Sequence, residues 1–414
     1  MPAKAVYVAG VGMTAFGIDL ARSVKDLTRQ AVGDALADAN CAASQIEAAW
    51  FANTSQGALE GQHMIRGQAA LRPLGFAGIP IANVENACAS ASTALFEAAN
   101  YMKAGGADIV LAVGAEKLSH PDRSRSLRIF DAGWDVSMVD QSREVLLALG
   151  GMDDTALPSP AERRSVFMDI YAAFARQHMR LYGSTQAQFA AVAAKNHAHS
   201  VHNERAQYRR AYSVEEVLAE RPIVWPLTLP MCAPVSDGAA AAILCTEAGL
   251  RRLGVGARAV ELRACVLGTS LDRDPDDLDR HIGRITALKA FEAAGLGPEN
   301  IDLAEVHDAT AVGEVIQVEN LGLAPRGEGG LAALHGHTAL GGRTPVNPSG
   351  GLESKGHPIG ATGLAQIFEL VTQLRGEAGK RQVERARVAV AENGGGLWGI
   401  EEAVCVVSVL SQNG

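Results

Sequence analysis

The chain should fold as α/β, with one strand–helix–strand unit used twice. Three features of the sequence lead there. From Ile79 to Gly114, a short apolar strand runs up to Cys88. Ala91, Leu95, Ala98 and Met102 then recur at helical spacing, Gly105-Gly106 stops the helix, and Ile109 to Val113 forms a second buried strand. The same plan returns around His357, where Gly356-His357-Pro358 opens a helix carrying Leu364, Phe368, Val371 and Leu374. Strand Val388 to Ala391 follows, then Glu-Asn-Gly-Gly-Gly. Finally, helix Ile285–Ala294, Pro298-Glu-Asn-Ile301 and strand Ala304–Val306 mirror an earlier helix, Ser44-Gln-Ile46 and Trp50-Phe51. A repeat of this kind implies two like halves, and His357 then holds in the second half the place of Cys88 in the first. If the halves pack about a pseudo-twofold axis, the two helix N-termini meet and the cysteine faces the histidine.

In chain order, Ala5 to Gly12 reads as a strand. Ser23 with Asp26 caps a helix bearing Val24, Leu27, Ala31, Ala35 and Leu36. Ile46 leads into strand Ala48–Ala52, and Asn53 to Pro73 is a loop plus helix. From Ser119 the character changes. Asp122 to Arg128 is arginine-rich and Asp131 to Pro158 reads as irregular. Two long helices follow, roughly 161–182 and 185–199, and Ser213 with Glu216 caps a short third. The stretch 119–225 is therefore an insertion lying over the core. Strand character returns at Pro226–Leu229 and in the apolar run ending at Leu244, and Ala259 to Leu267 starts the second half.

At 414 residues the chain exceeds one small core, and 48% hydrophobic with 20% charged residues is an ordinary globular balance. A net charge of −9 argues against a nucleic-acid partner, and an anionic ligand would need a local basic patch. Six cysteines (Cys41, Cys88, Cys232, Cys245, Cys265, Cys405) lack CxxC spacing, so neither a zinc site nor a disulfide framework is expected. His197, His199 and His202, or His335 and His337, have no companion carboxylate at ligand spacing, and no metal is predicted there. No apolar run approaches the ~20 residues that span a membrane. The N-terminus lacks a signal-peptide pattern and Ser-Gln-Asn-Gly is not a peroxisomal address, so a cytoplasmic location is the expectation.

Cys88 sits at a strand-to-helix turn, where backbone N–H groups and the helix dipole favour a thiolate. Small neighbours (Ala87, Ala89, Ser90) leave room for an acyl group. A buried structural cysteine is the alternative for this stretch alone. Four motifs in order decide between them: Asn86-Ala-Cys88-Ala-Ser, Ser236-Asp237-Gly238-Ala-Ala-Ala, Val306-His307-Asp308, and Asn347-Pro-Ser-Gly-Gly-Leu-Glu-Ser-Lys-Gly-His357-Pro-Ile-Gly360-Ala-Thr-Gly363. With Lys195-Asn-His-Ala-His-Ser-Val-His-Asn203, this set resembles the thiolase superfamily over essentially the whole chain. The branch is that of sterol-carrier-protein-type thiolases and lipid-transfer-protein-like enzymes. The resemblance implies a duplicated thiolase fold, two βαβαβαββ halves layered α-β-α-β-α, with a mostly helical loop-domain insertion. The expected domains are 1–118 plus 226–255, the insertion 119–225, and 256–414.

One motif departs. Degradative thiolases carry a second catalytic cysteine before the last glycine-rich loop, which here reads Ala391-Glu392-Asn393-Gly394-Gly395-Gly396. Cys405 lies in the last apolar strand and reads as core. The remaining Cys88, His307 and His357 resemble the Cys-His-His set of condensing enzymes. In that reading Cys88 attacks a thioester carbonyl, His357 handles its proton and His307 donates to the thioester oxygen. The Cys88 N–H and the Gly394–Gly396 loop would form a second oxyanion hole. Water, Glu392 or the substrate would take over the role of the absent cysteine.

The cofactor implied is coenzyme A, as substrate. Arg123, Arg125, Arg128, Arg163 and Arg164 are candidates for its phosphates, with a solvated charged face as the alternative. Phe130, Trp134, Met168 and His63 are candidates for the pocket wall. The resemblance implies a homodimer through the strand before Cys88, and some relatives also work with a small zinc-ribbon/OB-fold partner. Three activities stay open: an acyl-CoA C-acyltransferase cleaving or forming a 3-oxoacyl-CoA, a carbon acylase or retro-aldolase on a CoA thioester, and a non-catalytic acyl-CoA or lipid carrier.

Overall fold

The computed structural model describes residues 4–151 and 164–413. Eleven strands run in chain order: β1 (Tyr7–Met13), β2 (Ala48–Ala52), β3 (Ile81–Val84), β4 (Ile109–Lys117), β5 (Pro222–Val224), β6 (Leu227–Thr228), β7 (Asp237–Cys245), β8 (Val260–Thr269), β9 (Leu303–Glu305), β10 (Val388–Gly395) and β11 (Val404–Gln412). Nine of them are hydrogen-bonded in the order β3-β2-β4-β7-β1-β8-β11-β10-β9, and β5 and β6 form a separate ribbon. The order reads alike outward from its centre, β1-β7-β4-β2-β3 on one side and β8-β11-β10-β9 on the other. Where the second side has no strand for β3, Val346 makes a single parallel bridge with Ala304. The two sides meet through only Tyr7↔Glu261 and Val8↔Val260.

Burial sorts the elements into five layers. Helices Ser90–Lys103 and Thr362–Leu374 bury Leu95, Ala98, Met102, Leu364, Ile367 and Val371 between the two half-sheets. The outer face of the first half-sheet (Phe51, Leu111, Ile243) is covered by helix Val24–Asp38 through Leu27, Ala31 and Ala35. The outer face of the second (Val390, Val407, Val409) is covered by helix Ile282–Ala294 through Ala287, Ala290 and Phe291. Each helix thus follows its apolar stripe. The first also follows its capping box, in which Ser23 Oγ accepts from the Asp26 N–H at 3.2 Å and Asp26 returns a bond from the Ser23 N–H at 3.1 Å.

The intervening chain packs helices Val166–Tyr182 and Gln186–Ser200 over the second half, burying Tyr171, Phe174, Phe189 and Val192 against Val312 and Val315. Where 131–158 reads as irregular, the structure has a helix at Val139–Gly150 that buries Leu146 and Leu149. Its apolar stripe is too short to stand out locally, so tertiary packing decides. Arg163 and the first expected turn of the next helix lie outside the described residues. The strand before Cys88 is also not buried: β3 is the sheet edge, with Ala82 and Asn83 exposed. Among the described residues no helix is long and apolar enough to cross a membrane.

Candidate active site

Cys88 lies two residues ahead of helix Ser90–Lys103, in a turn made by Ala87 at φ +48°. That left-handed conformation is costly for alanine and is held from outside. Ser90 Oγ donates to the Ala87 carbonyl at 2.6 Å and accepts the Asn86 N–H at 2.8 Å. The Gly394–Gly396 loop presses on the same turn. A Cβ on Gly395 would stand 2.5 Å from the Asn86 carbonyl oxygen and 2.7 Å from the Ala89 nitrogen, so only glycine permits this approach. It sets Gly396 beside Cys88 in the wall of one cavity.

His357 arrives from the other half, five residues before its helix begins at Thr362. Its backbone N–H donates to Ser236 Oγ at 3.0 Å, and Nδ1 bonds Thr362 Oγ1 at 2.7 Å. Nε2 is left as the nitrogen available to the thiol. Asp237, next to Ser236, accepts the Leu118 and Ser119 N–H groups at 2.8 Å each and so fastens the end of β4. His307 follows β9. Its N–H donates to Glu392 Oε2 at 3.0 Å, its Nδ1 lies 3.4 Å from the Tyr171 hydroxyl, and its buried Nε2 has no partner. One ligating atom each of Cys88, His307 and His357 lies within 4.8 Å of the others, and the two imidazole centroids are 5.2 Å apart.

Buried Glu116 locks the halves together above this point. It accepts from the Thr54 and Ser55 N–H groups, Ser55 Oγ and Asn53 Nδ2 in the first half, and from the Gly360 N–H in the second at 3.0 Å. The histidines of Gln186–Ser200 are structural fasteners. His197 bonds the Pro230 carbonyl and Ser354, and His199 bridges the Asn347 carbonyl and the Leu340 N–H.

Burial corrects the thiolate expectation. Cys88 is only 9% exposed, and desolvation pushes its thiol up to about 12 against the opposing Gly396 N–H. Burial likewise pushes His307 down to about 4 and His357 well below its ordinary value. Burial thus favours the uncharged form of the thiol and of both imidazoles.

These groups open into a cavity of about 1400 Å³. Phe130 and Met168 line it as expected, along with Gly396 and Tyr171. Trp134 packs instead against the insertion core, and His63 is exposed and away from the cavity wall. Of the expected arginines, Arg123 and Arg164 line the cavity. Arg164 is paired with Asp169, while Arg125 is spent on the Ala58 and Leu59 carbonyls and Arg128 reaches Ser124. Sequence reasoning missed Arg209, Arg210 and Arg221, exposed arginines that join Arg123 at the solvent side. Ala206-Gln-Tyr-Arg209 belongs with the segment ending at Asn203 in the family resemblance, so Arg209 was legible as family sequence, while its charge and that of Arg210 were not read as a phosphate site. Glu392 turns away from Cys88. Its neighbours Ala391 and Asn393 face the central helices, and its own carboxyl faces Cys405 at 3.4 Å and the His307 N–H.

Two family models match, the thiolase N-terminal domain over residues 6–214 and the thiolase C-terminal domain-like model over 268–409. Sterol carrier protein 2 of Oryctolagus cuniculus is 38% identical over 408 residues, 95% of this chain and 70% of that protein. An acetyl-CoA acetyltransferase of Methanothermobacter thermautotrophicus is 38% identical over 399 residues, 95% of this chain and 97% of its own. The benzoylsuccinyl-CoA thiolase subunit BbsB of Thauera aromatica is 32% identical, covering 95% of both. Among solved structures, an Ltp2-ChsH2(DUF35) aldolase chain superposes with TM-score 0.77 at 24% identity, over 99% of this chain and 98% of that one, a likeness of fold. The duplicated sheet, the five layers and both matched domains agree: the chain belongs to the thiolase family.

Proposed function

We propose that the protein is an acyl-CoA C-acyltransferase that cleaves or forms a 3-oxoacyl-CoA through an acyl-cysteine at Cys88. The observation that carries this reading is the convergence of Cys88, His307 and His357, from both halves, within 4.8 Å in the wall of a large cavity. His357 Nε2 takes the thiol proton as sulfur attacks the thioester carbonyl. The developing oxyanion is met by the unpartnered His307 Nε2. Collapse expels the CoA sulfur, which recovers the proton from His357. In the forming direction His357 then takes the α-proton of a second acyl-CoA, the carbanion attacks the acyl-cysteine, and the expelled Cys88 sulfur recovers that proton; cleavage runs the same steps in reverse. Because burial disfavours both the thiolate and the imidazolium, transfer is coupled to attack. Coenzyme A enters as substrate, with Arg123, Arg209, Arg210 and Arg221 offering its phosphates local positive charge on a chain of net −9.

A carbon acylase or retro-aldolase reading is favoured by the missing second cysteine, since Glu392 does not face the site. The structural neighbour named with ChsH2(DUF35) supports a small partner subunit here too. Intact-mass and peptide analysis after mixing with acetyl-CoA or a 3-oxoacyl-CoA tests the central claim. An acyl adduct on Cys88, absent from Cys88→Ala, is expected. An adduct confined to another cysteine refutes it. A 3-hydroxyacyl-CoA offered alongside separates the aldol reading by the aldehyde or ketone it releases.

A further inference from the structure

Glu353 is the sole carboxylate among the described residues lining the cavity. It sits on the π-helical turn Gly351–Lys355 that delivers His357, and such turns are frequent at functional sites. Its side chain is fully buried and neither carboxyl oxygen makes a well-formed hydrogen bond; the neighbouring Asn196 amide has its Nδ2 turned to Asp308 and Glu314. The neighbouring charges are already engaged. Lys195 Nζ is held by Glu314 and the Val346 carbonyl, both at 2.7 Å, and Lys355 by Glu305 at 3.1 Å. Asp308 accepts the Leu352 N–H at 2.7 Å and the Glu353 N–H at 3.3 Å.

An orphaned buried carboxyl is costly, and a polar group left open in an apolar wall marks where a ligand supplies the bond. Burial, with Asp308 and Glu314 beside it, pushes the Glu353 carboxyl above its ordinary range against the opposing Lys195 and Asn196, and in its protonated form such a group donates one bond and accepts others. The turn Leu229–Met231 packs on Gly351–Lys355, and Cys232, just after it, lines the same cavity. Thr310 bridges to Cys232 through its backbone and leaves its own Oγ1 unpartnered. In the reading above the thioester oxygen is met by His307 Nε2, so Glu353 is surplus to it.

We propose that Glu353 is a specificity-determining residue that binds a hydroxyl or keto oxygen carried by the acyl chain beyond the reacting 3-oxoacyl unit. The substrates are then oxygenated acyl-CoAs rather than plain saturated ones. The assignment rests on the acyl-CoA reading above. Calorimetric binding of unreactive CoA thioethers tests it, using one unsubstituted chain and a series bearing a hydroxyl or ketone at successive carbons. At least one oxygenated chain should bind about tenfold or more tightly than the plain chain, the equivalent of one well-made hydrogen bond. Glu353→Met should erase that ratio, and Glu353→Gln, which still donates and accepts, should keep it within about threefold. A ratio near one in the native protein, survival of the ratio in Glu353→Met, or equal loss in both variants overturns the assignment. Should Glu353→Met fail to fold, the ratios of the native protein and Glu353→Gln still decide. If no thioether binds, the acyl-CoA reading falls and takes this one with it; if all bind alike, only Glu353 is excluded.

Discussion

Cys88 and His357 are each shifted toward the neutral form by the same cause, loss of water around the charged form. A thiol pushed up to about 12 should react slowly with iodoacetamide at neutral pH. The rate should climb ~tenfold per pH unit through the alkaline range, as thiolate fraction requires. His357→Ala should lower the neutral-pH rate by ~10-fold, because the base that shares the thiol proton is gone. A rate already on its plateau at pH 7, or one indifferent to His357→Ala, would count against the pairing. At this scale the sequence was read well where a residue belongs to a motif and poorly where it does not. Cys88, His307 and His357 were singled out and converge. Tyr171 was missed because nothing distinguishes it from any other buried aromatic on a helix. The charge state of Cys88 was misjudged because the helix N-terminus is visible in sequence while the burial that outweighs it is not.

Among the elements, β3 is the one left unfinished. It forms the edge of the nine-stranded sheet, with Ile79, Ile81 and Val84 only half-buried and no lysine to guard its outer side. Such an edge invites another strand. A second copy of β3 about a twofold axis would continue the sheet and cover those side chains. Sedimentation equilibrium at micromolar concentration should therefore report a dimer, and Ile81→Pro should shift it toward monomer, because the Ile81 N–H faces outward while the backbone groups of Pro80 and Val84 on either side are turned to β2. A monomeric native protein would refute the arrangement. The reading of β3 as buried followed from its apolar content alone, which says that a strand wants cover but not whether its own chain provides it. The helix at Val139–Gly150 shows the converse: weak local periodicity became regular structure once Leu146 and Leu149 had a partner helix to pack on.

For the molecule as a whole, buried titratable groups set how stability answers to pH. Burial raises Glu392 to about 8 and Glu402 to about 7, while His307 falls to about 4. Raised acids hold protons that the unfolded chain releases. Their stabilisation is complete below about pH 4.5 and is lost as pH rises to their folded values. Lowered histidines act in the opposite sense below their ordinary value of 6.5. Glu402 isolates one contribution: Oε1 accepts Gln317 Nε2 at 3.0 Å and Oε2 stands 3.5 Å from His281 Nε2, so an amide keeps the shape of the neutral acid without its titration. Relative to the native protein, Glu402→Gln should gain stability as pH rises from about 5 to 7, by up to ~1.4 kcal/mol per unit, and level off above. Urea midpoints across that range check it, and a constant offset would refute it. The duplicated architecture was legible because the repeat shows in order and spacing. Glu392 was legible from its place before the glycine-rich loop, but its burial and that of Glu402 were not, since both look like surface residues until the sheets enclose them.

The cavity that carries the proposed chemistry is also a body of solvent. At about 1400 Å³ it has room for roughly 45 water molecules at ~30 Å³ apiece. Much of its wall is Leu127, Phe130, Phe167, Met168, Ile223 and Leu229, side chains that give that water few partners. A ligand entering must empty the space before it can fill it. Binding should then carry a pronounced negative heat-capacity change, its enthalpy growing more favourable on warming as apolar surface leaves water. That signature belongs to the acyl end, since the arginines facing solvent would hold a headgroup through charge. Temperature and salt would thus weigh on different ends of the same molecule.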